Sequence, residues 1–234
     1  MAGINGAWDS TSSHFYFTLS NGDRTATSSA QGGIVAATDV QDAGTLALLY
    51  CEITPSAVGA KPRIGISDVV YEWSGKYLQP NGQVFYAESG SLTPVYPHLV
   101  YSAGSVIRFA YRRLENRIWI SVNGGPWNAG GTANPVTNVG GYENDYLDGA
   151  TKFAPFISEQ SPGGGTIATI NTGTVAFAYP IPSGFVGWYG TAAPAGKTMK
   201  VWGGSAWVAK PTKVWSGSAW VTKPIKTWNG SSWT

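Results

Sequence analysis

Hydrophobic and polar positions alternate along this chain with a period of two. In Arg117–Val122 (RIWISV), Ile118, Ile120 and Val122 face one way and Arg117, Trp119 and Ser121 the other. Residues 105–111 (SVIRFAY) repeat the pattern, with Ile107, Phe109 and Tyr111 opposing Val106, Arg108 and Ala110. Such alternation marks a strand with two unlike faces. Further strands are expected at 14–19, 33–37, 45–53, 63–69, 83–87, 152–157, 165–170 and 174–179. Turn pairs separate them: Asn21-Gly22, Ser74-Gly75, Asn81-Gly82, Ser89-Gly90, Asn123-Gly124 and Ser183-Gly184. No window carries a capped 3.6-residue apolar period. Many short strands without helices predict an all-β, antiparallel sandwich. Residues 124–151, rich in Gly and Asn, predict a long loop, and residues 191–197 (TAAPAGK) read as the start of a linker.

A different pattern closes the chain. KVWGGSAWVAKPT (200–212) is followed by KVWSGSAWVTKPI (213–225) and KTWNGSSWT (226–234), a repeat of 13 residues that holds six of the 11 tryptophans. A two-residue turn at Gly204-Ser205 sets Trp202 opposite Trp207. Gly217-Ser218 does the same for Trp215 and Trp220, and Gly230-Ser231 for Trp228 and Trp233. Gly then Ser suits a type II′ turn, whose first central residue needs positive φ. A lone hairpin is marginal in water, so these units must stack, pair with a second copy or dock on a partner. Pro211 and Pro224 remove ladder donors and mark the joints.

Composition narrows the class. Charged residues are 12%, aromatics 13%, and glycines 31 of 234. A disordered chain would be charge-rich and aromatic-poor. The longest compact apolar run, residues 46–51, is far short of the ~20 residues a helical span needs. The single Cys51 excludes a disulfide scaffold and reads as a buried small hydrophobe. Charge is divided: residues 1–196 carry nine cations and thirteen acids, −4, whereas 197–234 carry six lysines and no acid. A mildly acidic body with a basic tail suggests a tail that meets something else. The first residues, MAGINGAWDS, lack the basic and apolar stretches of a secretion signal.

The chemistry on offer is sparse. Glu143, Asp145 and Asp148 come near the E-x-D-x-x-E strand of some jelly-roll glycosidases, where alternate residues lie about 6.6 Å apart on one face. Their neighbours are Asn, Tyr and Leu between glycines, so the segment reads as a polar loop, with a Ca²⁺ site from these carboxylates as the alternative. His14 and His98 accompany no nucleophile motif, and 163–165 is no phosphate cradle. No cofactor is expected. Loop aromatics Trp73, Tyr77, Trp127, Tyr142 and Tyr146 are the candidates for packing against a sugar ring. Lysines interleaved with tryptophans also describe a single-strand nucleic-acid surface. The strict spacing and matched turn glycines instead favour Trp pairs as hairpin packing, with Lys keeping edges soluble.

Several segments carry a family likeness. GSVIRFAYRRLENRIWISVNG (104–124) resembles the centre of a SPRY-type β-sandwich, two strands around a short charged turn. GTLALLYCEI (44–53) and RIGISD (63–68) match that family's paired strands upstream. GGPWNAGGTANP (124–135), TKFAPFIS (151–158) and TVAFAYPIPSGFVGW (174–188) fit its closing part. The opening WDSTSSHFYFTLSNGDRTAT (8–27) is similar to the version in tailed-bacteriophage proteins, and the Trp-Asn-Gly-Ser-Ser-Trp tail resembles repeats of phage tail and fibre proteins. The resemblance implies a SPRY-like sandwich over 1–190, a linker at 191–199 and three hairpin repeats at 200–234. It further implies a virion component without enzymatic activity: an adhesion or decoration module on tail fibre, spike or head, bound to other virion proteins, oligomeric and by analogy trimeric. The tail residues Trp202, Trp207, Trp215, Trp220, Trp228, Trp233, Lys200, Lys213 and Lys226 would serve assembly or attachment. The turn 112–116, with two arginines, departs from the acidic turn usual in the family. A lectin-like glycan-binding module is the alternative, with a polysaccharide hydrolase behind it.

Overall fold

The computed structural model describes residues 6–9, 16–37, 41–42, 48–68, 75–88, 91–95, 99–143, 152–188, 199–202, 207–210, 213–215, 217 and 220–222. The chain divides into two compact units, Met1–Thr191 and Ala192–Thr234.

The larger unit is a sandwich of two sheets. The first holds β1 (Phe17–Ser20), β2 (Thr25–Ser28), β14 (Ile167–Asn171), β5 (Leu48–Ala57), β10 (Ile107–Arg112), β11 (Arg117–Val122) and β12 (Tyr142–Glu143), in that spatial order. The short β15 (Val186–Gly187) runs parallel to β5. The second sheet runs β3 (Gly33–Ala36), β13 (Lys152–Glu159), β6 (Pro62–Asp68), β7 (Gly75–Leu78), β8 (Val84–Glu88) and β9 (Ser91–Val95), with β4 (Gln41–Asp42) also on β13. Apart from β15, the pairings within both sheets are antiparallel.

The alternation read from the sequence decides which residues enter the core. Phe109 lies between Cys51 on β5 and Ile120 on β11, and Tyr111 between Leu49 and Ile118. All six are fully or almost fully buried, joined by Ile64, Ile66 and Ile157 from the facing sheet. Trp8 and Trp188 complete this core; the Trp8 indole N–H donates to the Ala168 carbonyl at 3.4 Å, and Trp188 stacks on Tyr111. Burying each such large side chain contributes roughly 1.5–3 kcal/mol. Burial also pushes the Cys51 thiol well above its ordinary pKa, which keeps it protonated and inert.

The strand expected at 174–179 does not form. The amides of Ala178 and Tyr179 bond the Glu52 carboxylate, not a ladder, so an apolar alternation there serves a covering loop. Strands β2, β4, β7, β9, β12 and β15 lie outside the expected set. Gly75, read as a turn residue, opens β7, because a Cβ there would lie 2.4 Å from the Ile66 carbonyl oxygen. The charged turn after β10 is partly self-compensated: Arg112 pairs with Glu115 at 2.6 Å and holds its carboxyl below the ordinary range.

In the second unit, β16 (Met199–Trp202) pairs with β17 (Trp207–Lys210), and β18 (Lys213–Trp215) with β19 (Trp220–Thr222). Trp202 stands opposite Trp207 and Trp215 opposite Trp220, the register that the 13-residue repeat dictates. Gly217 has φ +99°, as the first residue of such a turn requires. Trp215 is 53% exposed. Residues 223–234, with Lys226, Trp228 and Trp233, lie outside the described residues. Among the described residues, no helix is long and apolar enough to cross a membrane.

Candidate ligand-binding cleft

Two polar clusters flank the core, one on each sheet. The first lies on the outer face of the sheet that holds β5, β10 and β11. Tyr50, Ala110 and Trp119 point outward there, yet all are buried. Residues 123–142 and 172–185 lie over them, contributing Trp127, Ala133, Phe177, Ile181 and Phe185. Trp119 is thus buried against a loop on the face the alternation marks as outward. Beneath this cover sit Glu52 and Arg108, facing each other in register and only 3% and 7% exposed. Glu52 accepts the Tyr50 hydroxyl at 2.8 Å, the Ala178 amide at 2.8 Å and the Tyr179 amide at 3.0 Å. Arg108 donates to the Ser121 hydroxyl and to the Gly125 carbonyl at 2.9 Å. Its guanidinium lies 4.6 Å from the centre of the Trp127 ring and 5.0 Å from that of Tyr179. A buried charge needs such partners, and the aromatic faces that would attract a ligand cation are taken by the chain's own arginine.

The second cluster is open. At the end of the sandwich where β2 turns into β3, β5 into β6, β7 into β8, and β13 ends, the loops enclose a cleft of about 640 Å³, within the ~300–1,000 Å³ of ligand sites. Its lining combines two cations (Lys61 and Arg63), four amides (Gln31, Gln79, Asn81 and Gln160), Pro80, Ala60 and the ring of Phe85. Phe85 stacks on Tyr77, centroids 5.6 Å apart and planes at 16°, and the Arg63 guanidinium lies 4.9 Å from the Tyr77 ring centre. Burial draws Arg63 below its ordinary pKa and pushes Tyr77 up to about 12.

Glu159 holds the rim of this cleft. It is 0% exposed. Its carboxylate accepts the Lys61 amide at 3.3 Å, the Ser161 amide at 2.8 Å and the Thr166 hydroxyl at 2.6 Å. Thr166 in turn accepts the Gly59 amide at 2.9 Å. A Cβ on Gly59 would lie 2.1 Å from Glu159 Oε2, so the β5–β6 loop reaches its carboxylate anchor only with glycine there.

The three described aromatic candidates are not brought together. Tyr77 is no loop residue: it lies in β7, 1% exposed, and supports Phe85 and Arg63 from below, so it is corrected from ligand contact to scaffold. Trp127 lies in a single 3₁₀ turn (Trp127–Ala129) over the sealed cluster. Tyr142 packs against the main core from β12, and burial pushes its hydroxyl up to about 12. Trp73 and Tyr146 lie outside the described residues. Of the three carboxylates considered for Ca²⁺ or catalysis, Glu143 pairs with Arg117 at 2.7 Å, while Asp145 and Asp148 are outside the described residues. The described residues contain no group of three potential metal ligands.

No protein-family model and no curated protein matches this chain. Among solved structures, the SPRY domain of human HERC1 superposes with a TM-score of 0.55 at 12% identity, over 70% of this chain and 97% of that domain. The TRIM65 PSpry domain aligns with a TM-score of 0.46 at 12% identity, over 71% of this chain and 92% of that one. The carbohydrate-binding module CBM66 from Bacillus subtilis aligns at 0.43 with 9% identity, over 73% and 95%. The sandwich therefore shares the SPRY fold, reached through a largely different sequence.

Proposed function

We propose that this chain is a non-enzymatic binding module of a tailed-phage particle, with the sandwich presenting a recognition surface and the tryptophan hairpins fastening it to other virion proteins. The observation that carries the binding role is the end cleft. Its lining supplies hydrogen-bonding amides, cations and an aromatic ring, whereas the carboxylate beside it, Glu159, is wholly buried with both oxygens engaged. General acid–base work needs a carboxyl within reach of substrate, and Glu159 is committed to holding loops. The phage setting draws on the likeness of the opening motif and of the terminal repeats to phage proteins. The attachment role draws on the Trp-to-Trp register and the exposed Trp215. Cross-strand aromatic pairs supply only about 0.2–1 kcal/mol each, so small hairpins gain from docking on a partner or on further copies of the chain.

Deletion of 197–234 is the test. The truncated protein is expected to keep its strand-rich circular dichroism but to lose its oligomeric state and its place on particles. A truncated protein that still assembles on particles would remove the attachment role. The lectin-like reading is favoured by one specific feature, the pairing of Phe85 with four amides in one cleft.

A further inference from the structure

We propose that the end cleft recognises an acidic saccharide, a glycan whose sugar rings carry carboxylates; this rests on the reading of that cleft as the binding surface. Three observations converge. First, side-chain amides offer a donor and an acceptor on one planar edge, the complement of neighbouring hydroxyls, and the lining holds four of them. Second, Phe85 is half-buried and fixed by its stack on Tyr77, which leaves a rigid apolar plate for the C–H face of a ring. Third, both charged side chains of the lining, Lys61 and Arg63, are cations. Glu159, next to Gln160 in the chain, spends its charge on two amides and a hydroxyl. A neutral sugar would leave the exposed Lys61 ammonium without a counter-charge in the cleft. An acidic peptide would favour apolar pockets for its side chains, and the lining offers only Phe85, Pro80 and Ala60. The cleft is also too large for a single inorganic anion.

The full-length chain is titrated calorimetrically with three probes: trigalacturonate, its uncharged methyl ester and tetraglutamate. Trigalacturonate is expected to bind about tenfold tighter than the ester, the ratio that one charge-assisted hydrogen bond supplies. Lys61→Gln removes an exposed charge while leaving the amide that bonds Glu159, and is expected to cost most of that tenfold. Arg24→Gln, an equal loss of charge in the β1–β2 turn outside the cleft, is expected to change nothing.

Equal binding of the ester would overturn the acidic inference and leave the binding-surface reading standing. Preference for tetraglutamate would overturn it in favour of a peptide. Equal losses in Lys61→Gln and Arg24→Gln would reduce the effect to diffuse charge and overturn it. Binding of none of the three probes would overturn it as well, and the virion reading would then be judged by the particle assay on the truncated chain.

Discussion

The two carboxylate clusters of the sandwich use one device to opposite ends. Glu52 and Glu159 are each buried, and each accepts a hydroxyl and two backbone amides, the amides coming from chain that crosses the end or face of a sheet. Around Glu52, the loop so anchored brings aromatic rings down on Arg108, and cation, rings and carbonyls satisfy one another. Around Glu159, the anchored loops stand apart and enclose a cleft lined by Lys61, Phe85 and side-chain amides. A buried carboxylate is thus no sign of chemistry in this fold; what separates a seal from a site is whether the chain supplies its own occupant.

The largest effect that tests this contrast comes from alkali. Tyr50, in the sealed cluster, is raised far above its ordinary pKa by burial, with Glu52 adding to it. Tyr77, below the open cleft, is raised to about 12 by burial, with Arg63 opposing. Above pH 10 the unfolded chain therefore binds fewer protons than the folded one. Stability should be level below about pH 10 and fall as pH climbs toward 12. Tyrosinate absorbance at 295 nm, followed with circular dichroism, should show Tyr77 ionising before Tyr50; Tyr77→Phe should lower the amplitude of the step near pH 12 by one tyrosine, leaving that of Tyr142.

Replacing Glu52 by Ala should cost about 3–4 kcal/mol in denaturant unfolding, because two amides and a phenol lose a buried, charged partner. Glu159→Ala should cost less, about 2 kcal/mol, since water entering through the cleft can reach its stranded donors. Its sharper signature is local: hydrogen exchange at the amides of Lys61 and Ser161 should accelerate while those of Ala178 and Tyr179 stay protected. Equal protection losses at both clusters would erase the contrast. The smallest effect is expected from Trp207→Ala, about 0.2–1 kcal/mol on its own hairpin, with no change in sandwich unfolding.

The fold was legible where one local rule acted alone. Residues 105–111 and 117–122 obey a period of two because one face meets the core, and the tail register followed from the repeat length and its Gly-Ser turns. Prediction failed at 174–179, where apolar residues in alternation serve a cover that has Glu52 as its hydrogen-bond partner, a contact 126 residues distant in sequence. The cleft was illegible for a related reason. Its residues come from positions 31, 60–63, 79–85 and 160, joined only by topology, and only Asn81-Gly82 left a turn signal. Searching for tryptophan and tyrosine in loops found scaffold and seal, while the aromatic ring that faces the cleft is a phenylalanine on a strand.

The ladder arithmetic of the C-terminal unit has an evolutionary corollary. Each of the two described thirteen-residue modules closes its pairing within itself, Trp202 with Trp207 and Trp215 with Trp220. Recombination that gains or drops one whole module preserves every remaining contact, whereas an indel of another size inside a module shifts tryptophan against glycine. The row of hairpins can therefore be lengthened or shortened in discrete increments, by unequal crossing-over between near-identical stretches, without redesigning any cross-strand pair.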